Sequence, residues 1–141
     1  MAGKIIIEEA NDSLNPDALR SQLSIDGCGA IVSFLGITRG HDNDEPIIRL
    51  EFDAWQNELA DVLHDLAEQA ITLFSLHSVA IAHRTGAVEP MEPIVSIHVA
   101  SPHRKEAFEG CSWLIDELKQ QAPLWKKEVR ASGETWKAGL G

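Results

Sequence analysis

Leu59, Val62, Leu63, Leu66, Ala70, Leu73 and Phe74 recur at spacings of three and four. That period predicts an amphipathic helix whose apolar stripe must be buried against another layer. The neighbouring segments can supply that layer. Residues 47–54 alternate apolar and polar, as a half-buried strand does, and residues 77–82 read as a further strand. A helix framed by strands restricts the chain to architectures in which helices pack on a sheet.

The same alternation runs through the rest of the chain. Residues 4–9 read as a first strand. Asn15 and Pro16 open a short helix, Asn as the cap and Pro at the first helical position, running to about Leu23. Residues 28–35 are strongly β-like, and the polar, turn-rich stretch 36–46 is expected to be a loop. Residues 86–93 hold two prolines and are also expected to be a loop, followed by a strand over 94–100. Ser101 and Pro102 are expected to cap and open a second long helix. Its apolar stripe is Ala107, Phe108, Cys111, Leu114, Ile115 and Leu118, and Pro123 stops it. Residues 124–130 and 134–137 predict a final hairpin turning at Ser132-Gly133. The sum is one domain over residues 1–141, an α/β (α+β) sandwich. Its sheet is mixed and largely antiparallel, with two long amphipathic helices.

Charge narrows the function. The net charge is -10, which makes nucleic acid and anionic membrane surfaces poor partners. No apolar run approaches the roughly 20 residues of a membrane span, and the N-terminus turns acidic too soon for a signal peptide. A cytoplasmic location is expected. The cations, however, are unevenly placed. None of the twelve Lys and Arg falls between Leu50 and His83, whereas seven fall between Arg104 and Lys137. Either the C-terminal third has a solvated face with a chance excess, or it holds an anion.

Individual positions sharpen the second reading. His103 and Arg104 fall where the second helix starts, and free N–H groups there favour a phosphate; alternatively both point into water. Lys119 lies on the edge of the apolar stripe. It either snorkels to solvent or lines a partly dry pocket as an acid, base or nucleophile. Lys126 and Lys127 are adjacent on a strand and so face opposite ways, Leu124 sharing a face with Lys126 and Trp125 with Lys127. Arg39 sits in a loop beside a glycine, as anion clamps and ordinary surface arginines both do. The six histidines form no spaced metal pair, so no metal site is expected. Cys111 reads as a core thiol, and nothing marks Cys28 as reactive.

These blocks occur in a recognisable order. Gly29-Ala30-Ile31-Val32-Ser33-Phe34-Leu35-Gly36-Ile37-Thr38-Arg39 is followed by His83-Arg84-Thr85-Gly86 and by Ser101-Pro102-His103-Arg104-Lys105-Glu106-Ala107-Phe108. Asp116-Glu117-Leu118-Lys119, Ala122-Pro123-Leu124-Trp125-Lys126-Lys127-Glu128 and Gly133-Glu134-Thr135-Trp136 complete the set. The series closely resembles the large, catalytic subunit of molybdopterin synthase. The resemblance implies a homodimer that binds a small ubiquitin-like sulfur-carrier subunit at each end, within a heterotetramer. It implies conversion of cyclic pyranopterin monophosphate to molybdopterin, with sulfur from the carrier's C-terminal thiocarboxylate and no cofactor. Carried over by position, Lys119 and Lys126 would be catalytic. His103, Arg104 and Arg39 would bind the pterin phosphate, Ile37, Thr38, Lys127 and Glu128 would flank the pocket, and Phe34 would shape it. The chain departs from the family pattern at Phe52-Asp53-Ala54-Trp55, at Leu59, and at Met91-Glu92, where a Gly-Asp or Gly-Glu turn is usual. Two other readings stand beside this one: a binding module that kept the fold without catalysis, and a persulfide carrier using Cys28 or Cys111.

Overall fold

A computed structural model of the protein describes residues 3–42, 45–54 and 58–138. In chain order its elements are β1 (Lys4–Ala10), α1 (Pro16–Ser21), β2 (Ala30–Ile37), β3 (His41–Asp42), β4 (Glu45–Ala54), α2 (Leu59–Phe74), β5 (Ser78–Arg84), β6 (Gly86–Val88), β7 (Pro93–Ser101), α3 (Arg104–Gln121), β8 (Leu124–Arg130) and β9 (Gly133–Ala138). The strands form two sheets. One has the order β1-β5-β7-β2, parallel only between β1 and β5. The other has the order β3-β4-β8-β9, antiparallel throughout, with β6 also paired to β4. This is the expected α+β class, with the strands divided between two sheets.

Helices α2 and α3 pack against each other and cover one face of the first sheet. Leu59, Leu63, Leu66, Ala67 and Ala70 of α2 meet Ala107, Cys111, Leu114 and Leu118 of α3 in one core with Val79, Ile81, Ile97 and Val99 of the central strands. Helix α1 lies on the opposite face, where Leu19 and Leu23 pack on Ala80, Ala82 and Ala100. Covered on both sides, β5 is buried along its whole length. The unbroken apolar run Val79–Ala82 at its centre follows from that. The Asn15 side chain caps α1 as expected, accepting from the Ala18 N–H at 3.1 Å.

The structure corrects four expectations. Residues 36–46 are not all loop, because β2 continues to Ile37 and His41–Asp42 pairs with the start of β4. Gly36 there is not a chain breaker. A Cβ at that position would lie 2.5 Å from Val95 Cγ1, so the glycine permits a close strand approach. Residues 86–93 are not all loop either: Gly86–Val88 pairs with Leu50, Glu51 and Phe52 of β4. The second long helix begins two residues later than expected. Ser101 stays in β7, opposite Ala30, and its Oγ accepts from the His103 N–H at 3.3 Å, while His103 is the cap. Finally, Phe108 is 62% exposed and Leu73 is also exposed, so both apolar stripes are narrower than their periodicity implied.

Two of the departures from the family pattern have a structural reading. Leu59 is fully buried at the start of α2. Met91 is 75% exposed and has φ 71°, in the left-handed region where a side chain costs roughly 1–2 kcal/mol and glycine does not. Met91→Gly is therefore expected to raise the unfolding free energy by up to about 1 kcal/mol in urea denaturation, once the greater chain entropy of glycine is subtracted. A loss of stability would show that the methionine is held by contacts instead. Trp55 lies outside the described residues.

Candidate active site

Helix α3 ends because Ala122 precedes Pro123 and is extended, with φ -61° and ψ 124°. The chain then turns back at once into β8. This sharp stop puts Lys119, in the last turn of α3, and Lys126, near the start of β8, on the same cleft. The cleft has a volume of about 540 Å³, within the range of small-molecule sites. Its other walls come from the end of β2 and the loop after it (Phe34 to Arg39), from Ile47 and Leu50 of β4, from the start of β7, and from Ile115 and Leu118 of α3.

The pairing of β8 with β4 decides which lysine faces inward. Lys126 stands opposite Phe52 and Glu128 opposite Leu50, so both share the inward face of β4. Lys127 stands opposite Glu51, on the other face. There its Nζ lies 2.8 Å from Glu51 and 3.3 Å from Glu134, and 5.3 Å from the centre of the Trp136 ring. Glu51 in particular holds Lys127 above its ordinary pKa, and Lys127 in turn holds Glu51 below the usual carboxylate range. Lys127 is thus committed outside the cleft. The side chains of Leu124 and Trp125 lie outside those described.

In the cleft Lys126 Nζ is 3.5 Å from Glu128 Oε1, and Arg130, outside the lining residues, puts its Nη2 3.0 Å from Glu128 Oε2. The three side chains are only 13%, 7% and 15% exposed. A carboxylate so buried needs compensating charge, and here it has cations on both sides. Lys119 and Arg39 are exposed at the cleft, and neither forms an ion pair among the described residues. Among those residues, three lining cations face one lining carboxylate, in a chain of net charge -10. With apolar walls to focus the field, that surplus favours an anionic ligand. A second depression of about 630 Å³ is lined by Glu8, Glu9, Asp12 and Asp53 and would repel one.

Seven of the ten residues expected at the site therefore line one cleft: Phe34, Ile37, Thr38, Arg39, Lys119, Lys126 and Glu128. Thr38 is buried, and its hydroxyl donates to the Glu89 carbonyl at 2.9 Å, so it holds the loop over residues 89–92 in place. His103 and Arg104 do not join the cleft. They are exposed at the start of α3, fifteen residues or about 22 Å along the helix from Lys119. The sequence reading names Phe34 and Ile37 but misses the apolar wall from α3, since Ile115 and Leu118 read only as core. It also misses Arg130, whose even spacing from Lys126 and Glu128 is the available signal.

The cysteines take no part in this arrangement. Cys111 is buried in the core, and burial pushes its thiol up to about 11. Cys28 is half-buried against α1, and its pKa is also raised, by burial and then by Asp26. Neither favours the thiolate that a sulfur carrier needs.

A family profile described as "MoaE protein" matches residues 9–121. The chain belongs to the MoaE family. A molybdopterin synthase catalytic subunit from Arabidopsis thaliana is 35% identical over 136 residues, 95% of this chain and 69% of that protein. The crystal structure of molybdopterin synthase from Staphylococcus aureus superposes with a TM-score of 0.87 at 26% identity, over 93% of this chain and 96% of that one. A complex of subunits 1 and 2 of molybdopterin-converting factor from Helicobacter pylori shares the fold, with a TM-score of 0.75 at 23% identity over 92% of this chain and 88% of that one. MoaE membership makes the chain an enzyme of molybdenum cofactor biosynthesis, a sulfurtransferase subunit. The profile match stops at the end of α3, before Lys126 and Glu128, whose place at the site is given by the cleft itself.

Proposed function

We propose that the cleft converts cyclic pyranopterin monophosphate to molybdopterin, taking sulfur from the thiocarboxylated C-terminus of a small ubiquitin-like carrier subunit. The observation that carries this reading is the meeting of Lys119, Lys126 and Arg39 on one apolar-walled cleft. Both reactants are anionic. Arg39 would take the phosphate-bearing pterin. Lys119 and Lys126 would move protons and stabilise charge as the sulfur attacks and the cyclic phosphate opens. Glu128 would hold Lys126 in place. The carrier subunit is supported by the assembly named for the Helicobacter pylori relative.

His103 and Arg104 fit this reading through the homodimer. Lying a helix length from Lys119, they would reach the substrate from a second copy of the chain. Among the described residues no helix is long and apolar enough to cross a membrane.

The test is turnover of cyclic pyranopterin monophosphate with a thiocarboxylated small subunit, followed by dithiolene formation. Wild type and a Cys28→Ala, Cys111→Ala double variant are both expected to turn over at similar rates. Binding of the precursor without turnover would favour a non-catalytic module. Loss of turnover in the double variant alone would restore a cysteine carrier.

A further inference from the structure

We propose that Arg130 is a positioning residue for Lys126, acting through Glu128; this rests on reading the cleft as the sulfur-transfer site. Lys126, Glu128 and Arg130 occupy alternate positions of β8 and so share one face. Their partners across β4 are Phe52, Leu50 and Ile47, and the last two line the cleft. The Glu128 carboxylate is divided between the two cations. Arg130 takes Oε2 at 3.0 Å, and Lys126 has the longer contact, 3.5 Å, with Oε1. Arg130 is itself fixed from β9, where its Nη2 donates to Thr135 Oγ1 at 3.1 Å. Charge-assisted bonds from a planar guanidinium are strong and directional. The arginine therefore decides where the carboxylate sits.

The charged groups around Lys126 make this consequential. Lys119 faces the cleft from α3 and Arg39 from the loop after β2. On β4 the opposite residue is the apolar Phe52, and on β9 Lys137 stands opposite in register. Among the described residues, Glu128 is the one acidic group that lines the cleft. How its charge is shared sets how tightly the Lys126 ammonium is held. With Arg130 removed, the carboxylate would turn further towards Lys126, which would then be locked to Glu128 and slower to serve the reacting groups.

Arg130→Met and Arg130→Lys, made in the full chain and assayed with the thiocarboxylated small subunit, test this. In Arg130→Met the Lys126 side-chain NMR signal is expected to titrate about one pH unit higher than in wild type, and kcat to fall about tenfold. The KM for the pterin phosphate should stay within about twofold, because the ground-state phosphate contacts are untouched. Arg130→Lys should restore both titration and kcat most of the way. Two results would overturn the proposal. One is an Arg130→Met variant with wild-type titration and kcat. The other is a kcat loss with unchanged titration that Arg130→Lys does not recover, which would mean a structural role only. The NMR titration needs no turnover, so a wild type inactive in the assay would count against the sulfur-transfer reading and leave the Arg130–Glu128–Lys126 link to be decided separately.

Discussion

Alanine at Lys119 and alanine at Lys126 are each expected to cut sulfur transfer by roughly 10²–10⁴, the range for losing a positioned proton donor or acceptor. The two variants should differ in stability, and that difference separates chemistry from folding. Lys119 is exposed in the last turn of α3. Replacing it should change the unfolding free energy by no more than about 0.5 kcal/mol, as surface substitutions usually do. Lys126 is nearly buried and shares Glu128 with Arg130. Its removal leaves a buried carboxylate with one of the two cations seen beside it, at a cost of about 1–3 kcal/mol. Single-turnover rates measured beside urea denaturation check both claims. A Lys119→Ala variant that folds normally but turns over like wild type would end its catalytic assignment, and the same outcome for Lys126→Ala would end the reading of the cleft.

What could be read in advance follows from how local each cause is. Helix α2 was legible because its period lies within its own residues. The end of α3 was legible because Pro123 disfavours a helical residue before it. Strands β3 and β6 were not, since two or three residues become a strand only when β4 offers its edge. Phe108 was misread for a similar reason. Its spacing matches the stripe, but among the described residues no neighbouring element covers its side of α3. At the site, alternation showed that Lys126 and Lys127 must face opposite ways. Which one faces the cleft is set by the register of β8 on β4, to which residues 124–130 alone hold no clue. The charge skew of the C-terminal third pointed to an anion site and missed that Arg39 and the end of β2 form its far wall. His103 and Arg104 were offered by the helix start as well as by the resemblance, and a single chain leaves them at the other end of α3 from Lys119.

Acid should unfold this protein through His83. The ring is fully buried and packs edge-on against Phe52 at 5.7 Å. Its Nδ1–H donates to the Arg84 carbonyl at 2.6 Å, and Nε2 has no partner among the described residues. A proton added at Nε2 would create a buried cation with no acceptor, so burial lowers the pKa from 6.5 to about 4. The folded state therefore resists a proton that the unfolded chain accepts. The resulting stability is whole above pH 6.5, declines as pH falls, and is gone near pH 4. The loss amounts to roughly 3 kcal/mol, because stability falls by about 1.4 kcal/mol per pH step while only the unfolded chain is protonated. His98, also lowered by burial, adds in the same direction, though both its nitrogens meet serine hydroxyls, of Ser33 and Ser96. Glu45 and Glu51 are held below 4.5, so their own contribution is lost only at more acid pH. Urea denaturation at pH 7, 6, 5 and 4 should show the decline in wild type and much less of it in His83→Gln. An undiminished slope in that variant would assign the acid sensitivity elsewhere. The His83-Arg84 pair, which the sequence offers only as part of a motif, would otherwise have a task separate from the chemistry. It braces β5 beneath β4, and activity lost in mild acid should track unfolding rather than titration of the lysines.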